Sequence, residues 1–170
     1  RHDINALAET TPSLGNNANS ALFLTHAEEP DKTIILASDE TYGIDILDRT
    51  GKRTGRMDIG QIESLALQHD FPLSGADIQL VAAVDTAENA VSFYTREQDR
   101  TTLKTVGKGT IKVEFPSKAV CFYQSPLDEN HYLYIVGEGG HVSQWVLFDT
   151  GAGTVAGRPV RSLNMASEVG

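Results

Sequence analysis

The chain has 170 residues, 40% hydrophobic and 22% charged, the proportions of an ordinary globular domain. Its formal net charge of −9 argues against nonspecific binding to nucleic acid or anionic membranes, which takes clustered lysine and arginine. No apolar run approaches the roughly 20 residues that a membrane-spanning helix needs.

The sequence begins at Arg1, without Met and without a charged-then-apolar leader. A leader already removed and an internal start both agree with this. Residues 1–20 lack a sustained period and are rich in Asn, Thr and Ser, which predicts an extended arm. Short apolar runs follow, separated by turn residues. A first group is predicted at 21–25, 34–38, 43–48 and 55–59, and a second at 64–67, 78–85, 90–95 and 102–106. The third group falls at 119–123, 132–136, 142–149 and 159–164.

Alternation of apolar and polar residues is clearest from Gly43 to Asp48 and from Val142 to Leu147, as in strands with one buried face. The runs 34–37 and 80–84 are continuously apolar, as strands buried on both faces are. Only 61–68 is ambiguous between helix and strand. Three segments repeat one pattern: an apolar strand, a short acidic or Gly-rich turn, and a second apolar strand. They start at Ile34, Leu80 and Leu133, about 45 to 55 residues apart, the spacing of propeller repeats.

The predicted fold is therefore all-β, an incomplete β-propeller of about three four-stranded antiparallel blades at 21–60, 61–107 and 118–165. Propellers close with roughly four to eight blades, so three leave an open apolar flank. A partner chain, further C-terminal sequence or self-association is expected to cover it.

Asp39, Glu40, Asp85, Glu88 and Glu138 lie in the three repeated turns and could converge on one rim. Calcium ligation and acidic docking are the functional readings, and solvated turn residues the plain one. His141 could act as an acid or base, or be a surface histidine. His69 reads as structural and Trp145 as blade packing. Lys52, Arg53 and Arg56 form a basic cluster on a turn, read as solvated or as a phosphate contact. The single Cys121 reads as a buried structural thiol. No P-loop, dinucleotide fingerprint, zinc-spaced Cys/His set or Gly-x-Ser-x-Gly elbow is present.

Three stretches carry a specific resemblance: HDFPLSGADIQLVAAV from His69, VCFYQSPLDENHYLYIVGEGGHVSQWVL from Val120, and GRPVRSLNM from Gly157. In order, they resemble the β-propeller phytases, secreted calcium-dependent enzymes that remove phosphate from inositol hexakisphosphate. The resemblance covers nearly the whole chain but about the first half of a family propeller. It implies bound calcium held by Asp and Glu, with Lys and Arg holding phosphate charge.

Against that pattern the hairpin turns change sign. Glu40 follows Asp39 where the family has a Lys, and the turn from Asp85 to Asn89 lacks the family's Arg. Glu138-Gly139 stands in place of Lys-Glu, and Lys118 in place of a Tyr. The family's Asp-Asp-Pro falls at Asn19-Ser20-Ala21, and the Asp of Asn-Asn-Val-Asp becomes Ala66. The Gln-Val-Glu-Gly ending falls at Glu168-Val169-Gly170, without its second carboxylate.

Asp39, Glu40 and Glu138 remain the candidate metal ligands, and no residue is assigned to catalysis or substrate binding. The leading expectation is the N-terminal, incomplete domain of a dual-domain phytase, secreted or periplasmic. Such a domain assists phytate hydrolysis by a companion C-terminal phytase domain. The alternatives are a calcium-dependent phosphomonoesterase on phytate or smaller esters, and a scaffold that self-associates through its open propeller flank.

Overall fold

The computed structural model describes residues 9–13, 15, 17–26, 28–97 and 102–165. The calls on residues 1–8 and on Glu168 to Gly170 lie outside them. The described residues are strands and turns, with no α-helix among them.

The first sheet orders β1 (Ala21–Leu24), β2 (Ile34–Asp39), β3 (Gly43–Asp48) and β4 (Arg53–Asp58), all antiparallel neighbours. The second orders β5 (Ile62–Leu73), β6 (Ala76–Asp85), β7 (Ala90–Arg96) and β8 (Leu103–Thr105). A fifth strand in that sheet, β9 (Ile111–Lys112), also pairs with β7. The third sheet orders β10 (Ser117–Gln124), β11 (His131–Gly137), β12 (His141–Asp149) and β13 (Val155–Asn164). These are the three blades of an incomplete propeller.

Side-chain period explains how the blades stack. Along β6, Leu80, Ala82 and Val84 enter a core shared with the third blade, while Val81 and Ala83 enter one shared with the first. All five are fully buried, so the continuous apolar run marks a sheet covered on both faces. The first seam is filled by Leu24, Ile34, Leu36, Ile44 and Ile46 against Leu65, Val81 and Tyr94. The second holds Phe71, Phe93, Val120, Leu133, Ile135 and Leu147.

Serine hydroxyls stitch the blades where their first strands meet. Ser20 Oγ accepts from the Leu65 N–H at 3.1 Å, and Ser38 Oγ donates to the Glu63 carbonyl at 3.3 Å. Ser64 Oγ accepts from the Val120 N–H at 3.4 Å. Ser38 is fully buried, where an unpaired hydroxyl would be costly.

Several local expectations change. The ambiguous 61–68 is strand, and β5 runs on to Leu73, with its register shifting between Gln68 and Phe71 where Asp70 takes φ 54°. The bulge carries the sequence expected to turn, so the hairpin closes later, at Ser74-Gly75. The two-residue β9 is too short to leave a periodic signal.

Cys121 is corrected outright: it is exposed, on the face of β10 opposite Val120 and Phe122. An apolar run does not say which of its residues turn inward when only one face of a sheet is covered. Arg53 is corrected as well. Its guanidinium is largely buried and pairs with Asp45 at 2.9 Å, while Arg56 lies 3.8 Å over the Tyr42 ring and pairs with Asp58.

Candidate functional site

The three repeated turns fall at one end of the blades. The first joins β2 to β3 and the second joins β6 to β7. The third, from Glu138 to Gly140, joins β11 to β12. The starts of β5 and β10 lie at this same end. Thr86 N–H donates to the Gln61 carbonyl at 3.0 Å, and Ser117 N–H to Asn89 Oδ1 at 3.1 Å.

Asp39 closes the first turn. Its Oδ1 accepts from the N–H groups of Thr41 at 2.8 Å and Tyr42 at 3.2 Å. Its Oδ2 accepts from the Gly15 N–H at 3.0 Å and from the Ser13 hydroxyl. Burial alone pushes this carboxyl up, but hydrogen bonds from Ser13, Thr41, Gly15 and Tyr42 outweigh it and hold it below the usual carboxylate range. Glu40 next to it accepts from the side-chain amides of Asn17, at 3.1 Å, and Asn19.

The second turn is built the same way. Asp85 Oδ1 accepts from the N–H groups of Ala87 at 2.9 Å and Glu88 at 3.4 Å. Gly60, at φ 119°, lies so close that a Cβ there would meet Asp85 Oδ2 at 2.2 Å. Glu88 points to Lys112 Nζ at 3.1 Å.

At the third turn, Lys118 Nζ stands 3.2 Å from Glu63 and 3.5 Å from Glu138. His141 is exposed and stacks on Phe115 with ring centroids 5.6 Å apart.

This set was tested against calcium, which takes six to eight oxygens at about 2.3–2.6 Å. Asp39 spends its oxygens on its own turn and on Ser13 and Gly15, Asp85 Oδ1 is taken by its own turn, and Glu63 and Glu138 face an ammonium. Glu138 lies on the third turn, with Lys118, while Asp39 and Glu40 sit on the first. Among the described residues, no three His, Cys, Asp or Glu side chains gather where an ion could be held. The arrangement does not fit calcium.

What the rim can do is hold turns closed and join blades. Phosphate recognition needs unspent cationic donors, and the three turns contain no Lys or Arg. At the opposite end of the second blade, Arg96 and Lys104 line a cavity of about 480 Å³ with Leu73, Thr95 and Val106. No motif marked that pair, because β7 and β8 bring them together only after pairing.

The comparisons with known proteins agree with the fold. The family model described as Phytase matches residues 2–170. The chain is similar to the "3-phytase" of Bacillus subtilis (strain 168), 25% identical over 172 residues. That match takes in 97% of this chain and 45% of the relative, so the chain spans about half the relative's length.

Proposed function

The chain belongs to the phytase family, and from that premise we propose that it is a non-catalytic or weakly active propeller domain assisting phytate hydrolysis by a companion catalytic domain. One observation carries the reading. The rim formed by the repeated turns carries no Lys or Arg in those turns to hold phosphate, and its Glu40, Glu88 and Glu138 are each already engaged within the chain. The companion supplies the calcium chemistry and the phosphate-binding cations, and the pair works outside the cytoplasm. The exposed apolar part of the third blade's outward face, with Tyr123, Phe148 and Leu163, gives such a companion a place to rest.

The test is phosphate release from phytate by the purified chain, by a catalytically complete phytase domain, and by both together. The chain alone is expected to release nothing above the blank, and the mixture to exceed the catalytic domain alone. Calcium-dependent release by the chain alone would replace this reading with that of a phosphomonoesterase. Unchanged turnover together with a concentration-dependent dimer in light scattering would favour the self-associating scaffold, which the same open face supports.

A further inference from the structure

Every carboxylate on the turn rim is answered by a group of this same chain. Backbone N–H groups answer Asp39 and Asp85, amides answer Glu40, and Lys112 answers Glu88. The remaining pair, Glu63 and Glu138, belongs to different blades. Glu63 sits at the start of β5 in the second blade, and Glu138 in the β11–β12 turn of the third. Between them stands one ammonium.

We infer that Lys118 is a built-in counter-cation, clamping Glu63 and Glu138 across the seam between the second and third blades. It does the bridging that a bound divalent ion would otherwise do, and so leaves the rim independent of metal. Three features carry this. Nζ lies within ion-pair distance of both carboxylates, at 3.2 and 3.5 Å. Glu63 and Lys118 also lie at the starts of adjacent strands, joined just beyond where the Val120 N–H donates to Ser64 Oγ, so the ammonium closes a seam already held by that side chain. Lastly, Glu63 first and Glu138 second raise the ammonium above its usual range, keeping it charged throughout neutral pH.

The geometry also says what should happen without the lysine. Both glutamates are partly exposed and able to shift, Glu138 more than Glu63. Two carboxylates left facing each other repel, and calcium, which takes oxygens at about 2.3–2.6 Å, would relieve that repulsion. Lys118 is a positioning residue in this account. The inference does not rest on the chain assisting or performing hydrolysis.

The experiment follows the thermal midpoint of the full chain with no calcium, with millimolar calcium chloride and with EDTA. The wild-type midpoint is expected to be the same in all three. Lys118→Gln should melt about 2 °C lower and gain a calcium-dependent rise that EDTA reverses, while Lys118→Arg should behave as wild type. Glu138→Gln should abolish the calcium response in the Lys118→Gln background, and the two substitutions should be non-additive. A wild-type midpoint that moves with calcium or EDTA would overturn the inference. So would a Lys118→Gln chain that matches wild type in all three conditions, or additive effects of the two substitutions.

Discussion

The first and third blades have the same four-strand order, yet their outward faces end differently. On the first blade part of that face is covered by the chain itself, while Phe23 at its β1 edge stays 58% exposed. Thr11 N–H donates to the Gly51 carbonyl at 2.9 Å, Arg53 donates to the Pro12 carbonyl, and Ser13 and Gly15 reach Asp39. Beneath this arm, Asp45 and Leu47 are buried although they point away from the second blade. On the third blade Val142 and Gln144 are buried on the equivalent face, but its far half is uncovered among the described residues. Tyr123, Phe148 and Leu163 are 49%, 44% and 42% exposed, and Cys121 lies among them. A sheet face is made a core or a surface by what crosses it. The strand pattern only makes it eligible.

That contrast can be broken most forcefully at a seam. Leu133→Ala, in the core between the second and third blades, should cost about 3 kcal/mol in urea unfolding, since a fully buried leucine leaves a cavity. A cost below about 1 kcal/mol would mean that the seam is not packed as described.

On the closed flank, Asp45→Ala should cost about 2 kcal/mol, because it strands the largely buried Arg53 guanidinium. Arg53→Met in the same background should restore part of that loss. Failure to do so would show that packing, not charge, closes this face.

Acid provides a smaller and more specific probe of the arm. The Asp39 carboxyl is held below its unfolded value, so its contribution is fully present above about pH 4 and is lost as pH falls through the folded value. Asp39→Asn should therefore flatten the fall in urea midpoint between pH 5 and 3 relative to wild type. Equal slopes would detach the arm from this carboxylate.

The smallest effect belongs to the open face. Tyr123→Ser should change the stability of the isolated chain by no more than about 0.5 kcal/mol. A loss approaching that of Leu133→Ala would show that the face is covered in solution, and the contrast between the flanks would disappear.

Much of the fold is legible before any coordinates are seen. The strands at Gly43 to Asp48 and Leu80 to Val84 are where the sequence puts them, and the second is packed on both faces as its apolar run says. The alternating Gly43 to Asp48 is also buried on both faces, because the arm crosses it, while Ile35 and Ala37 of the apolar run 34–37 are only partly buried. The missed pieces have local causes. β5 runs through a bulge at Asp70 that looks like a turn, and β9 has two residues. The rim was only partly readable: the acidic residues of its turns are visible, but their partners Ser13, Asn17, Lys112 and Lys118 are distant in sequence. Arg53 looked like a solvated turn residue because its partner Asp45 and the arm across it meet only after pairing.

By itself the sequence determined an all-β chain of three repeating hairpins, the family pattern, and turns whose charge is reversed from that pattern. These follow from side-chain period and residue type, which are local properties. Only the tertiary structure decided that Asp39 ties its own turn to the arm, that Lys118 stands between two glutamates, and that the outward face of the first blade is crossed by the arm while the far half of the third is not. Those outcomes depend on strand register and on segments crossing from elsewhere in the chain. A change of one residue in register would turn every side chain of a strand to the other face.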